Sequence, residues 1–197
     1  MLARRTDAAL SGLTTGLLVL ALLMAVAGWL APSSQAEEPP ATPPQRLRLA
    51  SLDVAADVVP IEVSPDGVLD PPADPSTVGW WQRSARPGSD RGQTVITGHT
   101  VHTGGGALDP VIDLEDGGVG ARVVLTTRVA RQVYRVTEVL DTTREELAER
   151  SEELFGQDGG DGRLVLVTCT DWNGTTYEKN LVVIAEQQGP ATARRRS

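Results

Sequence analysis

The 197 residues hold one cysteine, Cys169, and only two histidines. A lone cysteine excludes an internal disulfide framework. One Cys with two His is also too few for a zinc site built from protein ligands alone. Lysine is nearly missing too: Lys179 stands alone among 18 basic residues, against 26 acidic ones, and the formal net charge is -8. That balance argues against a protein that works by neutralising nucleic-acid phosphates. Aromatics make up only 4%, but 40% hydrophobic and 22% charged residues exclude a collagen-like or wholly disordered chain. No internal repeat and no heptad is visible. The length suits one domain with appendages.

The appendages are at the ends. Arg4 and Arg5 precede an apolar run over residues 8–31, long enough at about 20 residues to span a bilayer. With the arginines on the near side, residues 1–7 are expected in the cytoplasm and the rest outside. The run reads as a transmembrane anchor. Ser34-Gln35-Ala36 offers the alternative of a signal segment cleaved after Ala36. Residues 32–45 form a linker in which Pro39, Pro40, Pro43 and Pro44 favour extended polyproline II. Residues 188–197, with Gly189, Pro190 and Arg194-Arg195-Arg196, read as a disordered basic tail. The termini carry a net positive charge, so the domain between them is more acidic than the whole chain.

Residues 46–187 read as one mostly-β domain. Arg46-Leu47-Arg48-Leu49 alternates as a half-buried strand does. Residues 58–63 follow, with Pro60 arguing for an edge or a bulge. Pro65-Asp66-Gly67 is a turn. Residues 93–97, 121–127 and 130–140 read as strands, the last two as a hairpin. Leu164-Val165-Leu166-Val167 and residues 181–185 are continuous aliphatic runs, expected of strands covered on both faces. One helix is expected after Thr142-Thr143-Arg144-Glu145-Glu146, which resembles a capping box, with Leu147 and Leu154 as its apolar positions. Residues 105–114 hold a short helix or none. The spacing of strands and turns predicts a closed barrel or a sandwich.

Two short segments carry chemistry. Cys169 ends the run Leu166-Val167-Thr168-Cys169, where a buried strand meets a loop. His99 ends Val95-Ile96-Thr97-Gly98-His99, again just past an apolar strand, with Gly98 allowing close backbone approach. Alone, each has an ordinary structural reading: a buried inert thiol, or a hydrogen-bonded imidazole. Together they are the parts of a thiol nucleophile and its acid/base partner. His102, in a glycine-rich loop, is the weaker candidate.

These residues resemble the sortases, the cysteine transpeptidases of Gram-positive cell surfaces, over about residues 46–186. The carriers are Thr97-Gly98-His99, Leu166-Val167-Thr168-Cys169 with Trp172 and Tyr177 following, and the closing strand Asn180-Leu181-Val182-Val183-Ile184-Ala185. Asp66-Gly67-Val68-Leu69, Val78-Gly79-Trp80-Trp81 and Arg86-Pro87-Gly88 look like class F in particular. The resemblance implies an eight-stranded sortase-type β-barrel with one or two short helices, in addition to the N-terminal transmembrane helix. It implies that Cys169 attacks the threonine carbonyl of a Leu-Pro-x-Thr-Gly-like sorting signal and that His99 protonates the leaving amine. An amine of the cell surface, such as a peptidoglycan precursor, resolves the thioester; water as acceptor gives proteolysis. No cofactor or metal is implied. The implied location is the cell membrane, single-pass, with the catalytic domain extracellular.

The sequence departs from the family at one point. Sortases carry an arginine on the strand after the cysteine, but none lies between Cys169 and Gly189. Glu178 or Asn180 stands in its place by spacing, and Lys179 is expected on the opposite face from both. Asn180 can donate a hydrogen bond to an oxyanion. The alternatives are that Arg128 or Arg135 enters the site from another strand, or that activity is low or absent. The last leads to a second function class, a sortase-fold binding domain at the cell surface. Asp113, Glu115 and Asp116 have calcium-ligand chemistry but also fit a solvated acidic loop, and Asp109-Pro110 reads as a turn. One of Trp80 and Trp81 is expected in the core, because adjacent strand residues face opposite ways.

Overall fold

The computed structural model describes residues 39–194. The apolar run 8–31 and the last arginines, Arg195 and Arg196, lie outside the described residues.

The most hydrophobic segments form the middle of the sheet. Strand β4 (Thr94–Gly98) is buried along its whole length, and β7 (Leu164–Trp172) is buried over its aliphatic half. They lie side by side in parallel, Thr94 against Leu164 through Thr97 against Val167. Parallel strands need a crossover connection; here it is the chain of residues 99–163, and both faces of the pair are covered. The long β8 (Tyr177–Gln187) returns antiparallel to β7, and β6 (Ala130–Thr143) lies against β8. The hairpin expected over residues 121–140 is present as β5 (Arg122–Thr127) and β6.

The remaining strands complete the circle. Strand β1 (Pro44–Leu49) pairs with β5 on one side and β2 (Val54–Ile61) on the other, while β3 (Val78–Trp81) bridges β2 and β4. The order β5-β1-β2-β3-β4-β7-β8-β6 closes through β5–β6 pairing into an eight-stranded barrel. Strand β2 changes partner midway: residues up to Asp57 pair antiparallel with β1, and Val58–Ile61 pair parallel with β3. Pro60 falls in the stretch where β1 has ended, which is how a strand tolerates a residue without an N–H.

Two boundaries differ from the sequence reading. The linker stops earlier, because Pro44 already belongs to β1. The expected disordered tail is in part ordered. Gln188 N donates to Val133 O at 2.8 Å, and Thr192–Ala193 forms a short β9 against Ala130 and Arg131. Tail backbone completes the hydrogen bonding of the free edge of β6.

Alternation along β7 and β8 sorts their residues onto two faces. Leu164, Leu166, Leu181 and Val183 point inward and join Leu47, Leu49, Leu125 and Ile96 in the main core. Burying each such side chain is worth about 1.5–3 kcal/mol. Val165, Val182 and Ile184 point outward, where they pack with Leu154 and are flanked by Leu140, Leu147, Phe155 and Val167. The cover is the predicted helical segment, split in two: α1 (Arg144–Glu149) and α2 (Ser151–Phe155). The capping box is real. Thr143 Oγ1 accepts from Glu146 N at 3.2 Å, and Glu146 Oε2 accepts from Thr143 N at 2.9 Å. A 3-10 helix occupies Asp109–Leu114. Among the described residues, no helix is long and apolar enough to cross a membrane.

Candidate active site

His99 and Cys169 each lie two residues beyond the last pair of the parallel strands, Thr97 and Val167. Neighbours in a parallel ladder share a face and sit about 4.8 Å apart across the strands. Cys169, still within β7, therefore shares the outer face with Val167, just past the patch covered by α1 and α2, and His99 is the first residue after β4. A hydroxyl latch holds this end of the ladder. Thr168 Oγ1 donates to Gly98 O at 3.0 Å and lies 2.5 Å from Thr100 Oγ1. A hydroxyl has one proton, so with Thr168 donating to Gly98, Thr100 donates to Thr168. The residue before Cys169 thus grips both neighbours of His99. Gly98 is required here: a Cβ would lie 2.7 Å from Leu108 Cδ1 and 2.9 Å from Val78 Cγ1.

The imidazole is oriented from the other side. His99 Nε2 lies 2.8 Å from Pro72 O, in the loop joining β2 to β3. A carbonyl only accepts, so Nε2 carries a proton and donates. Nδ1 is left without a proton in this tautomer. The loop after His99 is closed by Asp109, whose carboxylate accepts from Val101 N at 2.6 Å and Gly106 N at 2.8 Å. The sequence marked Asp109 only as a turn residue. Its role as a loop clasp depends on contacts that spacing does not encode.

Cys169 is half-buried and free. Burial pushes its thiol above the ordinary value, and the charge of Arg144 works in the opposite direction. Across the β7–β8 ladder, Cys169 faces Asn180. Asn180 Nδ2 is buried and has no hydrogen-bond partner. A buried amide without an acceptor is costly, and this one stands opposite the Cys169 thiol. Its neighbour Lys179 points away, as expected, with Nζ 2.6 Å from Asp141 and 3.8 Å from Asp171. Glu178 is exposed and accepts from Asn173 Nδ2 at 2.6 Å, within the turn joining β7 to β8.

Neither arginine proposed from other strands reaches the site. Arg135 pairs with Glu186, six positions along β8 from Asn180, and donates to Gly120 O at 2.8 Å. At about 3.3 Å per residue that is roughly 20 Å away. Arg128 lies in the β5–β6 turn, farther still along the same strand. The cation that the sequence reading did not single out is Arg144, the first residue of α1.

An aromatic group borders the site. His102 stacks on Trp172 with ring centroids 4.3 Å apart and planes within 5°, and Tyr177 tilts against Trp172 at 5.0 Å. His102 is thus a packing partner of the turn beyond Cys169. Trp80 is buried and donates from Nε1 to Ala85 O at 3.3 Å, whereas Trp81 is half-buried. Among the described residues, no group of three His, Cys, Asp or Glu converges as a metal site, and Asp113, Glu115 and Asp116 form none.

Residues 47–188 match the family model of the sortase domain. That span contains both His99 and Cys169. Solved structures agree at the level of fold. Sortase E1 from Streptomyces coelicolor, solved with a tripeptide in its active site, is 20% identical, with a TM-score of 0.58 over 80% of this chain and 94% of that one. Sortase A from Corynebacterium diphtheriae is 20% identical, with a TM-score of 0.58 over 80% of this chain and 74% of a lid-mutant structure. Sortase C-1 from Actinomyces oris is 19% identical, with a TM-score of 0.57 over 73% and 71%. These structures span several sortase classes and do not single out class F. No curated protein matches the chain. With the family model covering most of its length, the chain belongs to the sortase family of cysteine transpeptidases.

Proposed function

We propose that this sortase is a membrane-tethered extracellular transpeptidase. It cleaves a Leu-Pro-x-Thr-Gly-like signal between Thr and Gly and passes the acyl group to a cell-surface amine. The observation that carries the reading is a cross-strand pair: Asn180 stands opposite Cys169 with an unpartnered amide donor, while Thr168 beside Cys169 bonds both neighbours of His99.

In the first step Cys169 gives its thiol proton to His99 Nδ1, and the resulting thiolate attacks the threonine carbonyl carbon, so that a C–S bond forms as the carbonyl π bond opens. The tetrahedral oxygen becomes negative, and Asn180 Nδ2 is the donor free to meet it. A donor of this kind contributes about 2.7–4 kcal/mol in acyl transfer. The C–N bond then breaks, and the leaving glycine amine takes a proton from His99 Nδ1. In the second step the acceptor amine attacks the thioester and gives its proton to His99. The new C–N bond forms as the C–S bond breaks. The thioester conserves acyl energy, so two easier steps replace one difficult one.

The tether and the extracellular side rest on Arg4, Arg5 and the apolar run 8–31. Placement in class F rests on Val78–Trp81 and Arg86-Pro87-Gly88. The test is intact mass of the protein incubated with a Leu-Pro-x-Thr-Gly peptide and a small amine, with Cys169→Ala as control. A thioester adduct or amine-joined peptide supports the reading. An unmodified protein and uncleaved peptide would favour the sortase-fold binding domain.

A further inference from the structure

The site lacks a β8 arginine, yet an uncommitted cation stands on its face. Arg144 opens α1, immediately after Thr143. Cross-strand pairing runs Cys169 to Asn180 and Asn180 to Thr142, so the three residues form one row over β7, β8 and β6. Two strand spacings put Thr142 about 10 Å from Cys169, and Arg144 follows Thr142 by two residues. Helix α1 packs against both β6 and β8. Leu147, one turn on from Arg144, joins the outward cluster that contains Val182 and Val167, on the face that Cys169 shares.

Arg144 is placed where helix electrostatics do not favour it. A cation in the first turn meets the positive end of the helix dipole. Its i+3 and i+4 neighbours are Leu147 and Ala148, so no carboxylate faces it along the helix. Arg144 is exposed and makes no hydrogen bond or ion pair with the described residues. The charges on β8 and in the helix cap are engaged. Lys179 is held by Asp141 and Asp171 on the opposite face, Glu178 is held by Asn173, and Glu146 closes the helix cap. His99 donates to Pro72 O.

We propose that Arg144 is the site's cation: from the first turn of α1 it stabilises the Cys169 thiolate and takes over the charge that sortases place on β8. This rests on the transpeptidase reading for its purpose, but not for its test. Burial raises the thiol and Arg144 is the group that opposes this. Division of labour follows. Arg144 favours the anionic sulfur before attack, and Asn180 meets the oxyanion after it.

The test is the pH dependence of iodoacetamide alkylation, followed by intact mass on the full chain in detergent. Cys169 is the only cysteine, so the label reports one site. Parent, Arg144→Gln, Arg144→Lys and the double variant Arg144→Gln/Asn180→Arg are compared. Arg144→Gln is expected to move the midpoint to higher pH and slow alkylation several-fold at neutral pH. Arg144→Lys retains most of the parent profile, and the added strand arginine restores it. A midpoint for Arg144→Gln that coincides with the parent's, with circular dichroism unchanged, overturns the proposal. Alkylation needs no sorting signal, so a failed Arg144 and a failed transpeptidase reading give different results.

Discussion

Thr168 Oγ1 lies 2.5 Å from Thr100 Oγ1 while donating to Gly98 O, so one hydroxyl ties the cysteine strand to both sides of His99. Thr168 and Thr100 are both buried. Thr168→Val leaves the Gly98 carbonyl and the Thr100 hydroxyl without their partner, at a cost of about 1–3 kcal/mol. The urea midpoint should fall accordingly, and thioester formation should slow more than stability alone explains. Thr168→Ser, which keeps the hydroxyl, should retain most of both.

Asn180 is expected to act in the transition state. Asn180→Ala should lower kcat by about 10²–10³, the range for loss of one oxyanion donor, with KM little changed. Turnover equal to the parent's would remove Asn180 from the mechanism.

The raised thiol has a sign that can be checked. A group whose folded pKa exceeds its unfolded value stabilises the fold below the unfolded pKa. That contribution is lost as pH rises through the folded value. Burial raises Cys169 in this way. The stability difference between parent and Cys169→Ala should therefore shift against the parent as pH rises into the alkaline range, in paired denaturant titrations.

The α1 cap gives the opposite sign. The Thr143 N–H holds the Glu146 carboxyl below its ordinary value. Its contribution is present above the unfolded carboxylate pKa and lost as pH falls through the folded value. The gap between parent and Glu146→Gln should close in acid. Thr143→Ala should cost about 1 kcal/mol and loosen the turn that presents Arg144.

The barrel interior should behave as a packed core. Leu166 is 1% exposed, and Leu166→Ala should cost about 2–5 kcal/mol. A thermal melt checks it.

Much of this was legible in order of hydrophobic strength. The aliphatic runs of β7 and β8 announce strands covered on both faces, residues 93–97 read as the strand that became β4, and the Thr143–Glu146 spacing announces the cap. The start of β2 was not legible, because Val54 and Ala56 alternate with polar or small residues between Asp53 and Asp57 and look like a loop. Strand β9 is two residues long and carries no pattern of its own. His99, Cys169 and Asn180 could be picked out as candidates by residue type and spacing. Arg144 could not. Its nearness to Cys169 comes from the spatial order β7-β8-β6, whereas Arg135 sits on the correct strand at the wrong end.

The parallel neighbours β4 and β7 also set when the site comes into being. Hairpins β5–β6 and β7–β8 join segments close in sequence and can form early, whereas β4 must find a partner about 70 residues away. Such non-local pairing is slow, because loop closure must be paid for before contacts reward it. A partly folded chain with both hairpins formed would hold Cys169 opposite Asn180, with His99 still elsewhere. Competence for acyl transfer should therefore return on refolding with the last cooperative phase, and not with the first appearance of β-structure.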